Sequence, residues 1–470
     1  MSIVHSIEAA DLLTPVSAYL RLSRLSDDPY RMLLESVEGG AARGRYSVIA
    51  LLPDLVWKCR NGEAVLDGTP LEGNPLETLK DIIDQSQMTL PVDMPPMIGG
   101  VFGVLGYDMV RQMEFLPNAP INDLDLPEGI MIRPQLFAVF DSVRDELTLA
   151  VPIRGSMTEA EGHALLDRAR EALAAPLENA SETLPAGSEL APPSCNMTQE
   201  QFEANVRKAQ DYIAAGDAFQ IVPSQRFTTP FPLSPLALYR SLRRVNPAPF
   251  LFLMELEDYA LVGSSPEILV RLREGEVTVR PLAGTRPRGT DREHDLALER
   301  ELLADKKELA EHLMLIDLGR NDVGRVSELG TVEVPDQFVI ERYSHVMHIS
   351  STVTGQIKAG KTAMDALVAA FPAGTLTGAP KIRAMQIIDE LEPTRRGPYS
   401  GCVGYFGADG EMDTCIGLRM AVLKNGQMYV QAGCGVVADS DPNSEFRETQ
   451  VKARALFRAA EVAVSNAAKS

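Results

Sequence analysis

The chain has 470 residues, of which 45% are hydrophobic and 23% are charged, a composition typical of soluble globular proteins. This length predicts one large domain or two fused domains. The formal net charge of −20 at pH 7 disfavours binding to nucleic acids and to anionic membranes. An anionic substrate would therefore need a local cation or a basic pocket.

The cysteines and the N-terminus are typical of a cytoplasmic protein. No basic segment followed by an apolar core opens the chain, so we expect no signal peptide. No apolar run approaches the ~20 residues of a membrane span. No C-x-x-C pair occurs, which indicates reduced thiols. The cysteines are Cys59, Cys195, Cys402, Cys415 and Cys434.

The first 174 residues are predicted to form an N-terminal region that mixes helices and strands. Apolar periodicity predicts three helices, over residues 11–22, 30–35 and 158–174. Apolar runs predict three strands, over residues 97–106, 137–141 and 146–151. Residues 175–197 break this pattern, because prolines, serines and glutamates replace the apolar periodicity. We predict a linker-like segment there, followed by a second region over 198–470.

The second region begins with a clear helix signal. Thr198 and Gln201 form a capping-box pattern, and Gly216 predicts the end of that helix. Asp441 and Pro442 predict the N-cap and first position of a last helix. In chain order, the apolar patterns predict several strands over 218–279, a long buried helix over 296–318 and the final helix over 442–464.

Residues 372–381, with the sequence PAGTLTGAPK, stand out as a possible ligand loop. Two glycines free the backbone to turn and approach a ligand, and two threonines supply hydroxyls. A helix is predicted from Ile382, with Pro380 at its first position and the charge of Lys381 beside its N-terminus, which suits an anion. An ordinary glycine turn before a helix explains the same spacing, and spacing alone favours it.

Three carboxylates and one histidine are candidates for chemistry. A carboxylate such as Glu311 in an apolar helix must be paired or bound to a metal, and Lys307 is an available partner. Glu445 and Glu448 share a face of the last helix, where acidic residues also complement the helix dipole. His348 follows two apolar residues of a predicted strand, where most histidines are simply core residues.

Four segments resemble, in the same order, the signature segments of the chorismate-utilising enzymes. The match is closest to the large subunits of the anthranilate synthases, covers nearly the whole chain and is most specific over 198–457. The resemblance implies an α+β fold, an α/β sandwich of two stacked, mainly antiparallel β-sheets surrounded by helices. The segments are 262–267 (VGSSPE), 280–285 (RPLAGT), 372–381 and 431–435 (QAGCG).

The resemblance also implies roles for individual residues. Glu267 and His348 match catalytic positions, and a glutamate in a closed site can act as a general acid. Glu311 and Glu448 match the ligands of Mg²⁺, which accepts oxygen ligands and an incomplete protein shell. The positions that match substrate-binding residues are Gln220, Gly284, Thr285, Tyr399, Arg419, Gly433, Cys434, Gly435 and Lys452. Cys434 stands where relatives often have alanine, a change that we expect to be mild.

The implied reaction converts chorismate and ammonia into anthranilate and pyruvate, the first step of tryptophan biosynthesis. Gln220 replaces the lysine base of the water-adding relatives, and Ala283 replaces a nucleophilic lysine found in many aminodeoxychorismate synthases. An aminodeoxychorismate synthase remains an alternative. So does a catalytically silent tryptophan-binding or assembly protein, although such a protein would not need Glu267, Glu311, His348 and Glu448 together.

The resemblance implies a partner and an inhibitor. The chain has no Gly-x-Cys-x-Gly nucleophile segment followed by a His-x-Glu pair, so we expect a separate glutamine amidotransferase subunit to supply ammonia within a hetero-oligomer. Ser36, Pro249, Phe250 and Leu251 match the site for the feedback inhibitor tryptophan. Relatives often have tyrosine and methionine at the last two of these positions, so inhibition is expected in a pocket of altered shape.

Overall fold

A computed structural model of the chain describes residues 2–38, 42–177, 182–343 and 346–469. The helices in these residues are α1 (Pro15–Leu22), α2 (Pro75–Ser86), α3 (Glu159–Ala174), α4 (Gln199–Ala214), α5 (Pro235–Val245), α6 (Arg292–Ala304), α7 (Lys306–Gly324), α8 (Ala363–Ala370), α9 (Gly374–Thr377), α10 (Lys381–Leu391) and α11 (Pro442–Ala467). Across the same residues, none of the helices combines the length and apolar composition that a membrane crossing would need.

The strands carry most of the architecture. They are β1 (Ser2–Ala9), β2 (Arg31–Glu38), β3 (Ala42–Arg60), β4 (Glu63–Leu66), β5 (Thr69–Leu71), β6 (Val101–Leu105), β7 (Gly129–Asp141), β8 (Glu146–Ile153), β9 (Ser194–Cys195), β10 (Gln220–Ile221), β11 (Ser224–Pro230), β12 (Phe250–Leu256), β13 (Tyr259–Ser265), β14 (Ile268–Arg273), β15 (Glu276–Val279), β16 (Leu282–Pro287), β17 (Glu333–Arg342), β18 (Val346–Gln356), β19 (Gly378–Ala379), β20 (Cys402–Phe406), β21 (Met412–Ile416), β22 (Met420–Lys424) and β23 (Gln427–Gly433).

Two antiparallel sheets share the long strands β3 and β7. The first part of β3 pairs with β2 and its last residues pair with β4, while β7 pairs with β6 at its start and with β8 at its end. The first sheet has the order β1-β8-β7-β3-β2-β12-β13-β22-β23-β11-β9. The second has the order β5-β4-β3-β7-β6-β20-β21-β14-β15-β18, with β16 and β17 also paired to β18.

One hydrophobic core lies between these sheets. Apolar side chains from both sheets form one buried cluster there, including Met32, Phe102, Phe137, Phe252 and Val403. Alternate residues of the first sheet point outward onto α1, α3, α5 and α11, and those of the second pack on α2, α7 and α8. Burial of both faces explains why central strands such as β6 (VFGVL) and β12 (FLFLMEL) are almost continuously apolar. The predicted architecture of two stacked, mainly antiparallel sheets surrounded by helices is confirmed.

Local signals predicted several elements correctly. The helices after Thr158, Thr198 and Asp441 begin at those caps, and the side chain of each accepts a backbone N–H of the first turn. The predicted strands of the N-terminal region correspond to β6, β7 and β8. The first helix begins at Pro15, later than predicted, and α5 was not anticipated.

Two predicted helices are wrong. Residues 30–35 belong to strand β2, because Met32 and Leu33 point to opposite, buried faces and both edges of the strand are paired. The helix over 296–318 is divided into α6 and α7 at Asp305, whose carboxylate accepts the N–H groups of Lys307 and Glu308. Helix α7 is not buried all round, since 51% of Leu313 is exposed.

Strand pairs join the two regions on either side of the predicted linker. β2 pairs with β12, with Ser36 opposite Phe250, and β6 pairs with β20. The linker itself is only partly covered, because residues 178–181 lie outside the described residues. After them, the Leu184 N–H donates to the Ala467 carbonyl at 2.9 Å, so this segment packs against the end of the last helix.

Candidate active site

Glu267 lies in the turn between β13 and β14 and is 7% exposed. Its Oε1 accepts the Leu282 N–H at 3.3 Å, and its backbone carbonyl accepts the Ile416 N–H at 3.0 Å. Burial raises the pKa of Glu267 from 4.5 to about 8, although the Leu282 N–H, the Thr375 hydroxyl and the charge of Lys452 oppose that shift. The carboxyl group is therefore protonated at neutral pH and can donate a proton.

His348 has the complementary property, because its ring can accept a proton. It lies on β18 opposite Thr285, and its Nδ1 is 3.0 Å from both the Gly284 carbonyl oxygen and the Thr285 Oγ1. A carbonyl only accepts hydrogen bonds, so Nδ1 carries the proton and Nε2 is free to accept one. Burial lowers the pKa of His348 to about 4, which keeps the ring neutral. The contact depends on a bulge at Gly284, whose φ of +65° favours glycine.

Basic and phenolic groups surround this pair. Arg419 donates from Nη1 to the Lys452 carbonyl at 2.9 Å, and Lys452 donates from Nζ to the Gly433 carbonyl at 3.0 Å. Lys452 also forms an ion pair with Glu448 at 2.7 Å. The buried Tyr399 lies beside Gly433, where an added Cβ would come within 3.0 Å of the phenol oxygen. These contacts bring five predicted site residues together.

Glu311 extends from α7 toward the same cluster. Its Oε1 accepts the Gln220 Nε2 at 2.8 Å, and burial raises its pKa, with Glu308 and Glu448 adding to the shift. Gly435 faces this pair, because a Cβ there would lie 2.7 Å from the Gln220 Nε2 and 3.5 Å from the Glu311 Oε1. Lys307 is not the partner of Glu311, since it pairs with Asp439 at 3.2 Å.

The residues around Glu311 suit a hard cation. The Gln220 Oε1 and the Glu445 Oε2 are buried without a hydrogen-bond partner, and Glu448 adds a second carboxylate charge beside Glu311. Oxygen acceptors in excess of donors are what Mg²⁺ requires. Within the residues that the structure covers, no group of three His, Cys, Asp or Glu side chains could hold a metal. The described residues could therefore supply only part of a coordination shell.

The loop over 372–381 contributes less charge than its sequence indicates. Lys381 is buried, and its Nζ donates to the Asp322 Oδ2 at 2.7 Å and to the Ala370 carbonyl at 2.9 Å. Pro380 is the N-cap of α10 and not its first residue. The Thr377 hydroxyl donates to the Ala373 carbonyl at 2.9 Å. The ordinary glycine turn, which spacing alone favoured, therefore fits this loop better than an anion site at Lys381, because Asp322 neutralises that charge.

Cys434 also differs from the other predicted substrate contacts. Its N–H donates to the Pro223 carbonyl at 3.1 Å, and its side chain is fully buried. The N–H is therefore already bonded, and the residue's contribution at this site is its small volume beside Gly433 and Gly435.

A second cavity lies between the two sheets. It encloses about 600 Å³, including its open mouth, and is lined by Ser36, Phe250 and Leu251 among others. Pro249 directly precedes β12, which carries the last two of these residues. The Ser36 hydroxyl donates to the Tyr46 carbonyl at 2.8 Å, which fixes that wall. Arg273 and Asp413, paired at 3.0 Å, also line the cavity and were not anticipated from the sequence.

Arg396 is the most deeply placed cation that sequence reasoning missed. It is 4% exposed and lies between α10 and β20, three residues before Tyr399. Nothing in the segment 392–399 (EPTRRGPY) indicates which of its two arginines is buried.

The fold that carries this arrangement has known relatives. A family model described as chorismate binding enzyme matches residues 29–458, and the chain belongs to that family. Anthranilate synthase component 1 from Cereibacter sphaeroides is 52% identical over 98% of this chain and 94% of the relative. The protein of the same name from Pseudomonas aeruginosa is 48% identical over 97% of this chain and 94% of its own length.

Solved structures agree with these relatives. Anthranilate synthase component I from Streptococcus pneumoniae TIGR4 superimposes with a TM-score of 0.82 and 37% identity, covering 96% of this chain and 99% of that one. The menaquinone-specific isochorismate synthase from Escherichia coli has a TM-score of 0.74 at 19% identity, which shows the shared fold alone. The resemblance drawn from the motifs is confirmed: the chain is an enzyme whose near-full-length relatives are anthranilate synthases.

Proposed function

We propose that this chain is the large subunit of an anthranilate synthase, which converts chorismate and ammonia into anthranilate, pyruvate and water. The observation that carries the proposal is the opposite tuning of Glu267 and His348. A protonated carboxyl group and a neutral imidazole in one enclosed site are matched to an acid step and a base step at the same pH.

In the first step, ammonia forms a bond to C2 of the ring while the C4–oxygen bond breaks. Glu267 gives its proton to the departing hydroxyl, which leaves as water, and the ammonium group formed at C2 releases one proton to become the amine. In the second step, Nε2 of His348 accepts the proton from C2 and the bond from C3 to the side-chain oxygen breaks. The enolate that leaves takes up a proton and becomes pyruvate. The hydrogen bond from Nδ1 to the Gly284 carbonyl fixes the ring in the tautomer that this step needs.

Substrate binding would fall to the surrounding cations. Arg419 is held by its bond to the Lys452 carbonyl, which leaves other guanidinium donors for the side-chain carboxylate of chorismate. Tyr399 would lie on the same side, and Thr285 beside the ring. Glu311 and Glu448 would hold Mg²⁺, which supplies a counter-charge for the ring carboxylate. Gln220 then orients the Glu311 carboxylate through its 2.8 Å hydrogen bond.

The proposal also includes the source of the ammonia, the inhibitor and the cellular location of the enzyme. A separate glutamine amidotransferase subunit would supply the ammonia, in keeping with relatives named component 1. Tryptophan would bind in the cavity lined by Ser36, Phe250 and Leu251 and inhibit the first reaction of its own synthesis. The five cysteines are free thiols, which suits the cytoplasm.

The test uses the purified chain with chorismate, Mg²⁺ and an ammonium salt at mildly alkaline pH, with products identified by fluorescence and mass. We expect anthranilate, lost on chelation. Aminodeoxychorismate as the product would assign the chain to the other branch of the family, and no product together with no chorismate binding would refute the proposal.

A variant pair tests the metal ligands. Glu311→Gln should raise the Mg²⁺ concentration needed for half-maximal activity by roughly 10- to 100-fold. It should also abolish any Mg²⁺-dependent rise in melting temperature, a readout that is independent of turnover. The matched control is Asp317→Asn on the same helix, where the exposed carboxylate pairs only with Arg320 at 3.1 Å. Equal Mg²⁺ dependence in both variants would contradict the assignment.

A further inference from the structure

Arg396 forms an unusually complete set of contacts for a buried side chain. Its Nε and Nη2 donate to the two carboxylate oxygens of Glu392 at 2.9 and 2.6 Å. Its Nη1 donates to the Ser400 hydroxyl at 3.1 Å. All three nitrogens are therefore bonded, and the positive charge is already paired with a carboxylate.

The same guanidinium group also binds two distant backbone segments. Nη1 donates to the Leu376 carbonyl at 2.7 Å, inside the loop over 372–381. Nη2 donates to the Val222 carbonyl at 2.6 Å, two residues after Gln220. These segments also contact each other, because the Val222 N–H donates to the Thr377 carbonyl at 3.0 Å. Arg396 thus closes a junction between two segments that flank the site.

Two tyrosine rings lie against the guanidinium group. Its central carbon is 5.0 Å from the ring centroid of Tyr107 and 5.6 Å from that of Tyr399. A desolvated cation held at this distance from an aromatic face contributes a directional contact. Tyr399 is therefore fixed by a group that is itself held by five hydrogen bonds.

The junction extends to the glycine segment after β23. Glu392 Oε1 accepts both the N–H and the hydroxyl of Ser224 at 2.7 Å, and the Ser224 hydroxyl accepts the Gln431 Nε2 at 2.8 Å. Ser224 is paired in register with Gly433. One ion pair therefore connects Tyr399, the loop over 372–381, the Gln220 segment and the strand that leads to Gly433.

We propose that Arg396 is a positioning residue for the substrate carboxylate, acting through Tyr399 and the two backbone segments that it joins. The inference rests on the proposed function, because it takes Tyr399 as a substrate contact. Arg396 does not bind the anion itself, since Glu392 neutralises it and each of its nitrogens already donates. Its planar fork makes contacts that a lysine ammonium cannot reproduce.

The test compares Arg396→Lys with Arg395→Lys. Lysine retains a charge for Glu392 but loses the fork that reaches the Leu376 and Val222 carbonyls. We expect a folded protein whose KM and dissociation constant for chorismate rise roughly 10- to 100-fold, with a smaller change in kcat. Arg395 is the matched control, because it also pairs with a buried carboxylate, Glu128, at 2.6 Å, and donates to a carbonyl away from this junction.

A double-mutant cycle with Tyr399→Phe separates positioning from general stability. If Arg396 acts through Tyr399, the two changes together should weaken chorismate binding by less than the product of their separate effects. Independent effects, or an Arg396→Lys variant that binds chorismate as tightly as Arg395→Lys, would overturn the inference.

Three further outcomes also bear on the inference. If Arg396→Lys does not fold, Tyr107→Leu removes one ring while leaving every hydrogen bond of Arg396, and unchanged chorismate binding in that variant would overturn the inference. If the wild-type chain binds chorismate but forms no anthranilate, only the proposed reaction fails, and the binding comparison still decides the role of Arg396. A wild-type chain that does not bind chorismate refutes both.

Discussion

Glu267→Gln should raise the stability of the protein at neutral pH and lower its activity. The reason is that the buried carboxyl group of the wild type holds its proton to about pH 8. Below pH 4.5 the carboxyl is protonated in both the folded and the unfolded chain, so the uncharged glutamine should change little. Between pH 4.5 and 8 only the folded chain binds the proton. The stability of the wild type therefore falls as the pH rises, by about 1.4 kcal/mol per pH unit.

The size of the effect follows from the pKa interval. At pH 7 the glutamine variant should be more stable than the wild type by roughly 3 kcal/mol, and above pH 8 the difference should level off near roughly 5 kcal/mol. Glutamine can still accept the Leu282 N–H through its carbonyl oxygen, so that hydrogen bond is retained. Without the acidic proton, kcat should fall by about 10²- to 10⁴-fold.

The assay is a series of melting temperatures for both proteins between pH 5 and 9, with anthranilate formation measured on the same samples. The control is Glu276→Gln, at an exposed position of β15, where the difference from the wild type should not depend on pH. A stability difference for Glu267→Gln that stays constant across this range would refute the elevated pKa. Retained turnover would refute the role as acid.

Three other substitutions test individual parts of the site. Thr375→Val removes a hydroxyl that lowers the pKa of Glu267, so the alkaline limb of the pH profile of kcat/KM should move to higher pH. A move to lower pH would contradict this effect of Thr375 on Glu267. Ala283→Lys places an amine beside the Gly284 bulge and should shift the product from anthranilate toward aminodeoxychorismate, as measured by mass spectrometry. An unaltered product mixture would remove the reason for excluding the aminodeoxychorismate reaction. Phe250→Ala should weaken tryptophan inhibition by roughly tenfold, as expected for loss of an aromatic contact of about 1.5 kcal/mol, while unchanged inhibition would place the inhibitor elsewhere.

Structural elements that depend on neighbouring residues could be predicted from the sequence. The caps at Thr198 and Asp441 predicted helix starts, because a capping side chain bonds to the first turn of its own helix. The division of the helix over 296–318 was also a local event, at Asp305, but an aspartate between two helical patterns reads equally well as a surface residue. The strand β2 was mistaken for a helix because one of its two pairing partners, β12, lies far away in the sequence.

The properties of the candidate site also fall into those that the sequence indicated and those that it did not. Motif resemblance selected Glu267 and His348 as candidate residues, but it could not indicate their protonation states. Those depend on burial and on the bulge that brings the Gly284 carbonyl to Nδ1 of His348. Arg396 was invisible for a related reason, since its partners come from three separate segments that meet only in the folded chain.

The pairing of β6 with β20 has a consequence for synthesis of the chain, because these two strands lie far apart in the sequence. Leu105 on β6 pairs with Cys402 on β20, so the partner strand emerges from the ribosome roughly 300 residues later, after about 15–60 s at typical elongation rates. During that interval the nascent N-terminal half exposes an apolar face and an unpaired edge, which are aggregation hazards. The N-terminal half therefore depends on the arrival of the catalytic half to complete its own sheets, and a truncated transcript should yield an insoluble product.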